Sequence, residues 1–189
     1  MTSDRVDSAD GRILWWEPGG VLTTMWVTLA ILLALLTVMT LGMLYSLFGA
    51  ATASQELTFS WIAMVVLTPL ILAAHQLIHA LVARLTGANP QLDVDVLQWM
   101  IPVMYCRPGD HLFTRSQFLL YTLAPLGILT FIGILLLPLD SRSVWLIVPL
   151  ALNSSLSTRD VWTAWLALKL PTDSLIRVER DGLRLFLPS

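Results

Sequence analysis

Apolar residues gather along this chain in long runs rather than at the spacing of one helix face. The first run, Val21 to Phe48, holds 28 residues without a charge. At about 1.5 Å per residue this exceeds the roughly 30 Å hydrocarbon core, so it crosses a bilayer with some tilt. A second run extends from about Phe59 to Leu85 and is interrupted by His75, Gln76, His79 and Arg84, with Pro69 inside it. A third runs from about Gln117 to Leu137 and contains Pro125 and Gly127. The fourth, from about Ser143 to Leu170, is the weakest as a span, because it carries Asn153, Ser154, Ser155, Ser157, Thr158, Arg159 and Asp160. The pattern predicts an all-α membrane protein, a four-helix transmembrane bundle.

Shorter elements fill the connections. Leu92, Val94 and Val96 alternate with Asp93 and Asp95, and Pro108-Gly109 follows, which predicts a strand or hairpin. Such a piece cannot leave open edges in lipid, so it lines protein or lies at the interface. In the tail, Ile176 and Val178 precede Asp181-Gly182, and Leu183 and Leu185 follow, a short hairpin pattern. The expected organisation is an N-terminal segment (1–20), a four-span domain (21–170) and a tail (171–189).

Charge orients the spans. Arg5 and Arg12 precede the first; Arg84, Arg107 and Arg115 mark the second connection; Lys169, Arg177, Arg180 and Arg184 end the chain. Only Arg142 lies between the third and fourth runs, and no Lys or Arg between the first and second. Both termini and the second connection are therefore expected on the cytoplasmic side. The chain is 56% hydrophobic and 13% charged, against about a quarter charged in soluble domains. A net charge of -2 without a basic run argues against nucleic acid. Cys106 is the single cysteine, which excludes an internal disulfide and a Cys-based zinc knot. Four acidic residues in the first twenty, and a following run far longer than a signal h-region, argue against a cleaved signal peptide.

The candidate chemistry lies in His75-Gln76-Leu77-Ile78-His79. Imidazoles four apart share one helix face. With Asp160 from the fourth run they form a candidate two-His, one-Asp zinc site, one ion per chain, leaving a fourth position for water. Counted from the cytoplasmic ends of their runs, the three lie at a similar depth, roughly 9 to 15 Å. In a His-Glu-x-x-His helix the Glu takes a proton from the metal-bound water. Gln76 stands at that general-base position, and an amide is not basic enough for the task. Asp110 and Glu56, in loops, have no evident approach to the metal. Asn153, two turns before Asp160, is a candidate for orienting substrate or water, with interhelical packing as its alternative. The histidines have an alternative as hydrogen-bonding glue between helices. His111 reads as an ordinary surface or interface histidine.

These residues resemble the putative zincin peptidase family, relatives of the site-2 protease type of intramembrane metalloprotease. The resemblance is carried by the helix Leu72 to Arg84, by Arg115-Ser116-Gln117-Phe118-Leu119-Leu120 with Ala124-Pro125 after it, and by Asn153 through Asp160 and Leu168-Lys169-Leu170-Pro171. It spans about residues 60 to 185. It implies zinc ligands at His75, His79 and Asp160, and a prokaryotic cell membrane as the setting. The chain departs from the family where Gln76 replaces the usual Glu, and where Arg159 stands in place of a frequent Gly, charging or narrowing the mouth of the site. The leading expectation is a membrane-embedded, zinc-binding protein with weak or no proteolysis that binds a membrane peptide or protein. The alternatives are an active intramembrane zinc metalloprotease and a structural or assembly protein without metal.

Overall fold

The computed structural model describes residues 20–49, 61–97, 101–139, 141–179 and 182–187. The predicted N-terminal segment, Glu56 and the Asp181 turn position lie outside the described residues. Among the described residues, three helices are long and apolar enough to cross a membrane: α1 (Gly20–Leu44), α2 (Trp61–Leu85) and α3 (Arg115–Leu136). Their outward faces carry Leu36, Met39, Met43, Val65 and Phe131, each more than half exposed. An apolar surface of this extent is far larger than soluble monomers carry.

The fourth run folds differently from the single span expected. A 3-10 turn (Ser141–Leu146) leads into α4 (Ile147–Leu156), and α5 (Thr158–Leu168) begins after the single residue Ser157. The polar cluster in the sequence supplies the physical reason. The hydroxyls of Ser157 and Thr158 donate to the carbonyls of Asn153 (2.8 Å) and Ser155 (2.6 Å). Such back-bonding competes with the helical ladder.

Both predicted β elements form. β1 (Gln91–Leu97) and β2 (Ile101–Arg107) are antiparallel, with Asp93 and Arg107 paired at 2.7 Å. In the tail, β4 (Leu175–Glu179) and β5 (Gly182–Phe186) also pair. They do not stand alone, because β3 (Leu112–Thr114) adds a third strand beside β4. Phe113 and Ile176 face each other across that pairing, both fully buried.

Local signals explain the entries and exits. Gly87 at φ 94 takes the left-handed turn that ends α2, and the Ala88 N–H closes back on the Ala83 carbonyl at 2.9 Å. Thr114 caps α3 through a capping box with Gln117. Arg115 donates to the Leu170 carbonyl at 2.9 Å and ties the start of α3 to the end of α5. The end of α2, the start of α3, the end of α5 and both sheets thus lie at one end of the bundle.

Two apolar clusters hold the helices. One, near the sheets, joins Val82, Ala83, Phe113, Phe118, Tyr121 and Ile176. The other joins Leu41, Ile71, Leu129, Leu137, Ile147 and Leu150. At Gly133, α3 comes so close to α4 that a Cβ there would overlap the Leu150 side chain. Gly133→Val is expected to destabilise by about 1 to 3 kcal/mol through overpacking. Thermal unfolding in detergent should show a lowered midpoint. Gly42→Ala, where nothing lies within 4 Å of the new Cβ, is the control and should not lower it.

Candidate metal centre

α2 is amphipathic only in this sense: one turn of its buried face is polar. His75 and His79 are both buried, and their rings meet edge-on at 4.8 Å. Asp160 lies in the first turn of α5, which brings its carboxylate to the same point. The His75 and His79 Nε2 atoms are 3.1 Å apart, and Asp160 Oδ2 is 3.3 Å from the first and 3.5 Å from the second. The three residues predicted from the sequence are therefore brought together.

The far nitrogens explain why the near ones converge. His79 Nδ1 donates to the Tyr121 carbonyl at 2.9 Å. A carbonyl only accepts, so the proton belongs on Nδ1 and the lone pair on Nε2. His75 Nδ1 lies 2.9 Å from Asn153 Oδ1, which holds that ring in the same tautomer. Two imidazole lone pairs and a carboxylate then face one another with no donor among them, an arrangement that calls for a cation. A tetrahedral ion with bonds of about 2.0 to 2.1 Å spaces its ligands about 3.3 to 3.4 Å apart, close to the observed triangle. The donor set fits zinc.

Sequence reasoning missed the source of one of these contacts. The carbonyl of Tyr121 would normally accept from the N–H four residues on, but that residue is Pro125, which has none. Pro125 thereby frees the carbonyl that His79 uses. The signal was present as a proline four positions after Tyr121, inside a predicted span. Asn153 is fully buried and grips His75 rather than lining the cavity beside the ligands. Asn153 and Asp160, on either side of Ser157, bracket the His75 ring from opposite sides.

Gln76 points elsewhere. Its Oε1 accepts the Cys106 N–H at 3.0 Å and pins the outer edge of β2 to α2. Burial pushes the Cys106 thiol up to about 11, with a hydrogen bond to Tyr121 acting the other way. At neutral pH Cys106 is a thiol rather than a thiolate, so it is not a ready nucleophile. His111 packs edge-on against Phe113 at 4.7 Å, and its burial lowers its proton affinity. A cavity of about 850 Å³ opens beside the three ligands. Its walls include Leu72, Ala73, Met104, Phe118 and Leu156, with Arg159 and Glu179 among the polar members.

Pro125→Ala should return a competing N–H to the Tyr121 carbonyl, and Asn153→Leu should strip His75 of its acceptor. Each is expected to weaken zinc binding by about 10- to 100-fold. Competition against a fluorescent zinc chelator would measure it; unchanged affinity in both would remove these residues from the centre.

Among known proteins, no curated sequence and no solved structure matches the chain. Residues 68–175, which include all three ligands, match the model of a family described as putative zincin peptidase. Since that match takes in more than half of the chain, the protein belongs to the putative zincin peptidase family, whose name implies zinc.

Proposed function

We propose that this protein is an integral membrane zincin relative that holds one zinc ion at His75, His79 and Asp160. On this reading it binds a membrane peptide or protein segment and cuts it weakly or not at all. The observation that carries the reading is the state of Gln76. Its amide oxygen is committed to the Cys106 N–H at 3.0 Å, and the amide has no proton affinity to offer at neutral pH. The residue at the general-base position has become a clasp between the metal helix and a strand. When bound, zinc would polarise a carbonyl or acidify a water. Without a base beside it, hydrolysis loses a factor of about 10² to 10⁴.

Peptide binding is supported by β2. The Cys106 N–H points away from β1, so two residues earlier the main-chain groups of Met104 also face outward. Met104, Tyr105 and Cys106 line the cavity, and a strand edge there suits an extended peptide. Membrane embedding is supported by the three long apolar helices. We assign both sheets and both termini to the cytoplasmic side, from the Arg and Lys placement. His79 then lies about 9 Å from the cytoplasmic end of α2, at the mouth of the bilayer rather than its centre.

Elemental mass spectrometry of untagged, detergent-purified protein is expected to find near one zinc per chain. His75→Ala and Asp160→Ala should each lose it. Well-folded wild type that stays metal-free after zinc is offered would leave the histidines as packing groups sharing a proton with Asp160. Gln76→Glu keeps an acceptor for the Cys106 N–H and adds a base. Incubated with a fluorogenic membrane peptide, it should cleave about 10²-fold or more faster than wild type. Metal-dependent cleavage by the wild type at the same rate as the variant would overturn the loss of activity.

A further inference from the structure

Arg159 is the one cation that lines the cavity, among the described residues. It precedes Asp160 in the first turn of α5, so the turn that presents Asp160 to the metal centre also places Arg159 on the cavity wall. Among the described residues it forms no ion pair and no hydrogen bond. Glu179, an acid on the same cavity, pairs with Arg184 at 2.7 Å. Asp160 faces the two histidines. Arg159 is exposed, so its guanidinium is open to an incoming ligand, and beside mostly apolar walls it is the positive group that an anion entering the cavity would meet. A divalent ion at the centre adds to this, because one carboxylate neutralises only half of its charge.

We propose that Arg159 is the anion-recognising residue of the cavity, and that the cavity takes an apolar peptide presenting a carboxylate to it. The proposal rests on the peptide-binding reading above and narrows it. The carboxylate is either a free C-terminus or an Asp or Glu side chain, and both suit the planar two-pronged donor of arginine. A neutral apolar peptide satisfies the walls and leaves the guanidinium without a partner.

The test uses the full chain, zinc-loaded, in neutral detergent, with isothermal titration calorimetry. Three acetylated hexapeptides of leucine and alanine are compared: a free acid, a C-terminal amide, and an amide with one internal glutamate. The free acid or the glutamate peptide is expected to bind about tenfold or more tighter than the neutral amide. Which of the two does so identifies the source of the carboxylate. Arg159→Gln should abolish the preference, Arg159→Lys should keep part of it, and both should retain the zinc content of the wild type.

Equal binding of the three peptides, or binding by none, overturns the proposal, as does a preference that survives Arg159→Gln. Arg159-dependent binding of phosphatidylglycerol without a peptide preference would make Arg159 a lipid-headgroup anchor and overturn it too. The two readings fail separately. A metal-free wild type that keeps the Arg159-dependent preference loses the zinc centre and retains this inference. A zinc-loaded wild type without the preference does the reverse.

Discussion

Three acceptors converge in the interior of this protein, and everything around them answers to that fact. Two imidazole lone pairs and a carboxylate oxygen lie 3.1 to 3.5 Å apart. Such a cluster is self-repelling without a cation, and costly to bury. The Tyr121 carbonyl and the Asn153 amide oxygen decide which ring nitrogens carry protons, and so which face inward. The cluster is therefore a property of four helices at once: α2 supplies the rings, α3 and α4 set their tautomers, and α5 supplies the acid.

In a regular helix most carbonyls already accept an N–H, which leaves them poorer partners for a distant ring. The irregularities of the backbone are where the function enters. Pro125 removes one N–H and releases one carbonyl. Asn153 and Asp160, two turns apart on either side of Ser157, meet opposite nitrogens of one ring. Local departures from ideal structure that cluster at a site are the expected mark of function.

The difference between what was legible in the sequence and what was not follows the range of the interaction. The i,i+4 histidines are a local pattern on one helix, and Asp160 stood out as a charge in an apolar run. Both hairpins announced themselves through alternation and turn residues. The joining of β3 to the tail was hidden, because Leu112-Phe113-Thr114 is too short to show a period. The release of the Tyr121 carbonyl needs two facts, a proline spacing and the pairing of α3 with α2, and only the first is in the sequence. The split of the fourth run had a visible cause in its Ser, Thr and Asn residues, but polarity alone does not say whether a segment bends, breaks or merely packs. Gln76 reads from the sequence as an amide between the two histidines, while its partner, the Cys106 N–H, depends on where β2 lies.

Gln76 and Arg159 act in the same electrostatic direction. The neutral amide of Gln76 adds no negative charge beside the three ligands, and Arg159 places a positive one on the adjoining wall. A peptide bond about to be cut is neutral in its ground state, and gains charge only as it reacts. A carboxylate is already charged, so a cavity shifted toward positive potential favours it without any reaction. Binding energy spent on that ground state lowers dissociation and does nothing for turnover. On the function proposed above, the pair that withholds a base thus also improves retention of a ligand resembling the product of hydrolysis. A neutral amide and a guanidinium then suit holding a carboxylate better than cutting a peptide.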